Sequence, residues 1–330
     1  MTLQQLEYIV AVDECRHFAR AAEQCRVTQP TLSAMIQKLE DELGVRVFDR
    51  NCQPIAPTAV GEIVIRQARE TLRQSKAIHE MVLEEKASMG GVFRLGILPT
   101  IAPYLLPRFF PQLMSKYKTL DIQVAEMRTK DIKQALIEGK LDAGILAQID
   151  GLEEFNQEPL FYEQYFAYVS RNSGLFDKSP VRTSELGGEQ LWLLDEGHCF
   201  RDQMLRFCQL KSAQVSQLAY RLGSMETFMR MVESGKGVTF IPELATAQMG
   251  ENQKQLVRPF AIPVPTRQLV MITNKSFVRQ TLLKALVGEI QQSVPKSMLT
   301  LKGTQKLVYC LLAKAEVEHQ SSAGQTEGEG

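Results

Sequence analysis

The stretch from Thr58 to Ser88 constrains the fold most, because it separates two parts of the chain with different hydrophobic patterns. It contains no proline and one glycine, near its start. Apolar or small side chains recur along it in a near-heptad register, at Ile65, Ala68, Leu72, Ser75 and Val82. The sequence Met89-Gly90-Gly91 then breaks the helical pattern. We therefore predict a long linker helix over 59–89 that dimerises along its apolar stripe.

The residues before this helix predict a winged helix-turn-helix domain over 1–58. A first helix has one apolar face, which carries Leu3, Leu6, Ile9 and Val10. A short helix over 19–25, a turn at 26–27 and a second helix through Leu39 follow. The alternating sequence VRVFDRNCQPIAPT then predicts a small two-stranded wing.

The second helix of this pair has the features of a DNA-recognition helix. Thr28 can cap it, and Pro30 fits its first turn, where a missing N–H has no cost. We expect four side chains to face the core: Leu32, Ala34, Ile36 and Leu39. The side chains left outward include Gln29, whose amide can pair with base edges. Those able to reach phosphates are Thr31, Ser33, Lys38 and Arg50. The alternative to DNA contact is that these side chains form an ordinary solvent-exposed face of the helix.

The net charge gives no support for nucleic-acid binding. The whole chain has 38 basic and 38 acidic residues, and residues 1–60 hold slightly more acidic than basic ones. DNA binding is therefore predicted from motif and geometry alone. Two symmetric copies and the N-termini of helices can supply the missing attraction for phosphate.

After the linker helix, the pattern changes to that of an α/β region. Short strand-like segments alternate with helical ones, which predicts parallel sheets covered by helices. The final residues, QSSAGQTEGEG, are small, polar and acidic, so we expect a largely disordered tail in an extension over 301–330.

The composition also limits where the protein acts. No apolar run is long enough to span a bilayer, and the first residues lack the order of a signal peptide, so we expect a cytoplasmic protein without membrane contact. Six scattered cysteines are too few for a disulfide framework. No cysteine or histidine cluster has metal-ligand spacing, so we predict no metal site. No phosphate loop or nucleophile elbow is present, so we predict that the protein has no cofactor and is not an enzyme.

The segment AAEQCRVTQPTLSAMIQKLEDELGVRVFDR resembles the DNA-binding signature of the LysR family, including the cluster Gln29, Pro30, Thr31 and Ser33. The resemblance extends from residue 1 to about 300. It implies a periplasmic-binding-protein-like domain of two α/β subdomains, with crossings near 162 and 266. Subdomain I would comprise 90–162 and 267–300, and subdomain II 163–266. The partners implied are double-stranded promoter DNA, RNA polymerase and further copies of the chain in a homodimer or homotetramer.

A narrower resemblance lies in LLDEGHCFRDQMLRFC, which is similar to the redox segment of the peroxide-sensing members of that family. It implies that Cys199 reacts with hydrogen peroxide and that Cys208 is the resolving cysteine. The residues implied to contact peroxide are Thr100, Thr129, His198, Arg201 and Asp202. A cytoplasmic thiol reductant would then reverse the disulfide.

The spacing of the two cysteines suggests a switch. If 201–208 starts as a helix, nine residues span about 13.5 Å, whereas a disulfide needs Cα atoms about 4.4–6.8 Å apart. Oxidation would then remodel the segment and activate oxidative-stress genes. Three alternatives stay open: two buried structural cysteines, a LysR-type regulator with a small organic effector in its cleft, and a thiol peroxidase. The two threonines could also be ordinary caps.

Overall fold

The computed structural model describes residues 1–86, 89–194, 199–208 and 224–308, without the side chains of Cys199 and Asp202. The chain divides into two compact units. The N-terminal unit comprises Met1–Ser88 with Ser276–Leu282, and the C-terminal unit comprises Met89–Lys275 with Leu283–Gly330. In the described part of the chain, no helix combines the length and apolarity required to cross a membrane.

The N-terminal unit is the predicted winged helix-turn-helix followed by a long helix. Its elements are α1 (Leu3–Cys15), α2 (Phe18–Gln24), α3 (Gln29–Leu43), β1 (Phe48–Asp49), β2 (Ala56–Pro57) and α4 (Ala59–Glu85). The Thr28 hydroxyl caps α3 by accepting from the Thr31 N–H, as predicted. Helix α3 continues beyond Leu39 to Leu43, because Gly44 supplies the left-handed residue that ends it.

The core of this unit differs from expectation at one position. Leu32, Ile36 and Leu39 of α3 are buried, as expected, but Ala34 is exposed. Residues two apart on a helix do not share a face, so Ala34 lies away from the side that buries Leu32. The buried carboxyl group of Glu40 is the further member of this face that the apolar pattern had not indicated.

Helix α4 forms over nearly the predicted range and is capped by the Thr58 hydroxyl. Ile65 and Ala68 of its near-heptad stripe are buried in the core of the N-terminal unit, with Leu72 packed against that core. Val82 of the same stripe is exposed, and further apolar side chains of α4 are exposed as well: Val60, Ile63, Ile78 and Met81. Part of the stripe therefore packs within the same chain, and a second apolar set remains on the surface.

The C-terminal unit contains a mixed sheet covered by helices. Its strands are β3 (Gly91–Ile97), β4 (Leu120–Glu126), β5 (Ala143–Ala147), β6 (Phe155–Val169), β7 (Val238–Pro242), β8 (Val257–Pro259), β9 (Val264–Asn274) and β10 (Gln305–Leu307). Its α-helices are α5 (Ala102–Lys116), α6 (Thr129–Ile137), α7 (Cys199–Phe207), α8 (Met225–Glu233), α9 (Glu243–Thr246), α10 (Glu251–Lys254) and α11 (Gln280–Ser293). Two 3₁₀ turns lie at Thr183–Gly188 and Lys296–Met298.

The strand directions correct part of the prediction. Strand β3 pairs in parallel with β4 and β5, as expected. Strands β6 and β9, however, pair antiparallel with each other, and β9 is antiparallel to β5. Strand β6 is long because its first part, through Gln164, pairs with β9 with a register shift at Leu160, while Tyr165–Val169 pairs with β7. The residues predicted as crossings, near 162 and 266, lie within β6 and β9.

The C-terminal extension begins with ordered structure that the composition of the tail did not indicate. Strand β10 pairs in parallel with the start of β9, with Gln305 opposite Val264 and Leu307 opposite Thr266. Val308 follows it and is buried. The tail predicted to be disordered, QSSAGQTEGEG at 320–330, lies outside the described residues.

Candidate functional site

Helix α3 presents most of the residues predicted to contact DNA. Gln29, Pro30, Thr31 and Lys38 are exposed, and Ser33 is half-buried. The Thr31 hydroxyl lies 2.8 Å from that of Thr28, so the two share a hydrogen bond at the start of the helix. The cap therefore fixes the orientation of the residues that begin the recognition face.

Arg50, the last of the predicted DNA contacts, lies in a network centred on Glu40. One carboxylate oxygen of Glu40 accepts from the Val47 N–H at 2.7 Å. The other accepts from Arg46 at 3.1 Å and from Arg50 at 3.2 Å. The Arg50 guanidinium also stacks over the Phe18 ring, 5.4 Å from its centroid. Glu40 and Arg46 were not predicted as site residues, because a charged residue next to an apolar helix face is usually an ordinary surface residue.

Thr100 and Thr129 lie at one edge of the sheet in the C-terminal unit. They follow the carboxyl ends of β3 and β4, respectively. The two strands remain paired to their ends, where the Met127 N–H donates to the Ile97 carbonyl at 3.0 Å. Both threonines are buried. Because β3 lies between β4 and β5, Thr100 stands at the point where the strand order reverses, which is where α/β sheets bind ligands.

Arg267, on β9, is the central side chain of this edge, and its side chain is 1% exposed. Its Nε and Nη2 donate to one carboxylate oxygen of Glu163 at 2.9 and 2.7 Å. Its Nη1 donates to the Thr100 hydroxyl at 3.2 Å, and its Nη2 to the Thr100 carbonyl at 3.1 Å. The second Glu163 oxygen accepts from the Leu244 N–H at 2.9 Å. All these groups are therefore fixed by one buried ion pair.

The guanidinium of Arg267 stays charged despite its burial. Burial by itself lowers the pKa of Arg267, but the charges of Glu163 and Tyr165 and the hydrogen bonds to both residues together outweigh it, and the net shift of that pKa is upward. Neither Arg267 nor Glu163 was singled out from the sequence, because they lie 104 positions apart. The available signal was a single charge within an apolar strand, which is typical of a buried ion pair.

The guanidinium of Arg267 connects this edge to the helix that carries the cysteines. It lies 5.9 Å from the ring centroid of Phe200 and 5.5 Å from that of Tyr165. Those two rings meet edge to face, with centroids 5.1 Å apart. Phe200 directly follows Cys199, so Arg267 bonds to Thr100 on one side and packs under the first turn of α7 on the other.

Helix α7 covers Cys199–Phe207, and the Cys208 N–H still donates to the Met204 carbonyl at 3.0 Å. The condition for the switch, that 201–208 is helical, is therefore met through Phe207, with Cys208 directly after the helix. The nine-residue rise between the two cysteines is about 13.5 Å along a helix.

Cys208 is a buried free thiol, 6% exposed. Burial raises its pKa to about 12. Because the thiolate is the attacking form, Cys208 is unreactive in this conformation. Among the described residues, Cys15, Cys25 and Cys52 are also free, and burial raises the pKa of Cys25 too.

Part of the predicted peroxide site cannot be placed. His198 and the side chains of Cys199 and Asp202 lie outside the described residues, as does Cys310. Arg201 is half-buried in the first turn of α7. The structure thus brings together Thr100, Arg267 and the residue next to Cys199, and it places Thr129 at the same sheet edge.

Comparison with known families gives matches to both parts of the chain. Residues 3–62 match the family model for the bacterial regulatory helix-turn-helix protein of the lysR family. Residues 86–295 match the model for the LysR substrate binding domain. The second match alone covers more than half of the chain.

Individual relatives extend over most of the chain. It is 35% identical over 301 residues, 91% of this chain and 99% of the relative, to the hydrogen peroxide-inducible genes activator of Pectobacterium carotovorum. It is 36% identical over 272 residues, 82% of this chain and 89% of the relative, to the DNA-binding transcriptional dual regulator OxyR of Escherichia coli K12. A solved full-length OxyR variant from Pseudomonas aeruginosa is similar with a TM-score of 0.71 and 34% identity, covering 88% of this chain and 98% of that one.

Proposed function

The chain belongs to the LysR family of bacterial helix-turn-helix regulators, and from that premise we propose that it is a cytoplasmic transcription regulator that responds to hydrogen peroxide. The names of its relatives, a peroxide-inducible activator and OxyR, support this response. The observation that carries the proposal is the position of buried Arg267, which bonds to Thr100 and packs under the residue that follows Cys199.

Double-stranded promoter DNA is the proposed partner of the N-terminal unit. Gln29 reads base edges in the major groove, while Thr31, Ser33, Lys38 and Arg50 contact phosphates around Pro30. The exposed apolar residues of α4, Ile78, Met81 and Val82, support assembly into a homodimer, two of which form a homotetramer on paired half-sites. The assembled regulator recruits RNA polymerase to oxidative-stress promoters.

The proposed chemistry starts at Cys199. Its thiolate attacks one peroxide oxygen, the O–O bond breaks, and the leaving hydroxide takes up a proton to become water. Cys199 is thereby oxidised to a sulfenic acid. Peroxide is held during this step by Thr100, Thr129, His198, Arg201 and Asp202. In this arrangement Arg267 orients Thr100 and contributes positive charge beside the developing hydroxide.

Resolution by Cys208 completes the reaction. Its thiol condenses with the sulfenic acid, a disulfide forms, and water leaves. A thiol reductant of the cytoplasm returns the two electrons and restores both thiols. We propose that this cycle serves as a regulatory switch rather than as a means of consuming peroxide.

The helix explains why this reaction changes the shape of the protein. The cysteines are separated by about 13.5 Å of helix, and a disulfide tolerates Cα atoms only about 4.4–6.8 Å apart. Helix α7 must therefore unwind, and Cys208 must leave its buried position. The new local packing shifts the arrangement of subunits and with it the DNA-reading helices.

A promoter reporter tests the proposal. We expect Cys199→Ser to abolish induction by peroxide, because serine cannot form a sulfenic acid. Cys52→Ser is the matched control, because Cys52 is an exposed thiol of the wing. That variant should respond as the wild type does. A full peroxide response in Cys199→Ser would overturn the proposal.

A further inference from the structure

Gln203 lies in the middle of α7, four residues after Cys199 and five before Cys208. Its side chain is buried, with 1% exposure for the residue. A buried amide needs partners for both of its ends, and Gln203 has them. Its Oε1 accepts from the Tyr165 hydroxyl at 2.8 Å, and its Nε2 donates to the Val308 carbonyl at 3.1 Å.

The Val308 partner belongs to the C-terminal strand. Val308 directly follows β10, and its own N–H donates to the Thr266 carbonyl at 2.9 Å. Strand β10 has only three residues paired with β9. So short a strand depends on contacts at its ends. Gln203 therefore connects the helix between the cysteines to the last described strand of the chain.

The other partner, Tyr165, packs against Phe200, the residue that follows Cys199. Its ring is fully buried and meets Phe200 edge to face. It also lies next to the guanidinium of Arg267. Through Tyr165, the amide of Gln203 is tied to the side chains that support the first turn of α7.

We propose that Gln203 is a positioning residue that holds α7 helical in the reduced protein and couples disulfide formation to release of β10. This inference rests on the proposed function. When Cys199 and Cys208 join, the residues between them leave helical geometry, so Gln203 cannot keep both bonds. The Val308 carbonyl then loses its side-chain partner, and the C-terminal strand loosens at its end. The redox state is thereby transmitted to the strand that pairs with β9.

Hydrogen exchange of the full chain tests the coupling without any substitution. Peptides containing 305–308 should exchange slowly in the reduced protein and faster after a peroxide pulse. In Cys208→Ser, which cannot close the disulfide, the pulse should leave this exchange unchanged. Mass spectrometry of the same samples measures the Cys199–Cys208 crosslink.

Substitutions at Gln203 test its two side-chain hydrogen bonds, to Tyr165 and to Val308, separately. Gln203→Leu removes both, and we expect exchange at 305–308 in the reduced protein to approach that of the oxidised wild type. We also expect the crosslink to form about fivefold to a hundredfold faster, the range for losing two ordinary hydrogen bonds. Gln203→Glu keeps an acceptor for Tyr165 but has no donor for Val308, so it should raise exchange with a smaller change in crosslink rate. Leu205→Met, on the same helix, is the control.

The possible results distinguish the coupling to β10 from the proposed function on which it rests. A crosslink with unchanged exchange at 305–308 would overturn the coupling and leave the proposed function intact. Absence of any crosslink would overturn both. If Gln203→Leu fails to fold, Tyr165→Phe removes the Oε1 bond alone and should still speed the crosslink; an unchanged rate would count against a positioning role.

Discussion

At the scale of single residues, the candidate site depends on buried charge. Arg267 and Glu163 are each 1% exposed and form an ion pair. Arg267 also donates to the Thr100 hydroxyl, and Glu163 also accepts from the Leu244 N–H. Removing one partner of such a pair leaves an uncompensated buried charge, which costs about 3–5 kcal/mol. The pair therefore fixes the position of Thr100 through two hydrogen bonds from Arg267.

The environment of Cys208 predicts a specific dependence on pH. The fold favours its neutral thiol, whose pKa is raised by burial from 9.0 to about 12. The stability that this neutral thiol contributes is thus complete below pH 9 and is lost as the pH rises toward 12. At pH 8 we expect alkylation of Cys208 in the reduced native protein to be much slower than alkylation of exposed Cys52.

Peptide mapping after a timed pulse of iodoacetamide measures both rates. In urea, where burial is lost, the two cysteines should react at similar rates. Equal rates in the native protein would contradict a buried Cys208 thiol. Asp49 also raises the pKa of Cys52 through a hydrogen bond, so the comparison understates the effect of burial.

At the scale of elements, the recognition helix and the wing are joined by Glu40. Its carboxylate accepts from backbone N–H groups of Val47 and Phe48 and from two arginines. It therefore holds the chain that leads from α3 into the wing and orients Arg50. A carboxylate so placed acts on both the stability of the N-terminal unit and its affinity for DNA.

Glu40→Gln should destabilise the protein by about 1–3 kcal/mol, because a charged acceptor of several buried hydrogen bonds is replaced by a neutral one. Freed arginines should also change the salt dependence of DNA binding. Urea unfolding and a salt titration of DNA affinity measure the two effects. Glu42→Gln is the control, since Glu42 pairs with the N-terminal amine at the surface and such pairs contribute little. Equal stability of the two variants would contradict the role given to Glu40.

The same elements show what the sequence could predict. Periodicity and caps gave α1, the helix-turn-helix and α4, because these depend on neighbours in the chain. The antiparallel pairing of β6 with β9 and the contact between Gln203 and Val308 join residues about a hundred positions apart. No local pattern encodes such contacts. Ala34 was misplaced for a simpler reason, since a small apolar residue fits either face of a helix.

At the scale of the whole molecule, the proposed function gives the two units separate tasks. The N-terminal unit presents exposed polar residues on α3, and the C-terminal unit carries the buried edge at Thr100, Arg267 and α7. A signal between them requires an element with two packed arrangements. Under the proposed function α7 is that element, because closing a disulfide between Cys199 and Cys208 is incompatible with the helix.

Thiol mapping by mass spectrometry after a brief, low dose of peroxide tests the central claim most directly. The account predicts a Cys199–Cys208 crosslink that forms first, that a thiol reductant reverses, and that is absent in Cys199→Ser, while Cys15, Cys25 and Cys52 stay reduced. A chain whose Cys199 and Cys208 remain free thiols after that dose, while its promoter is induced, would contradict it.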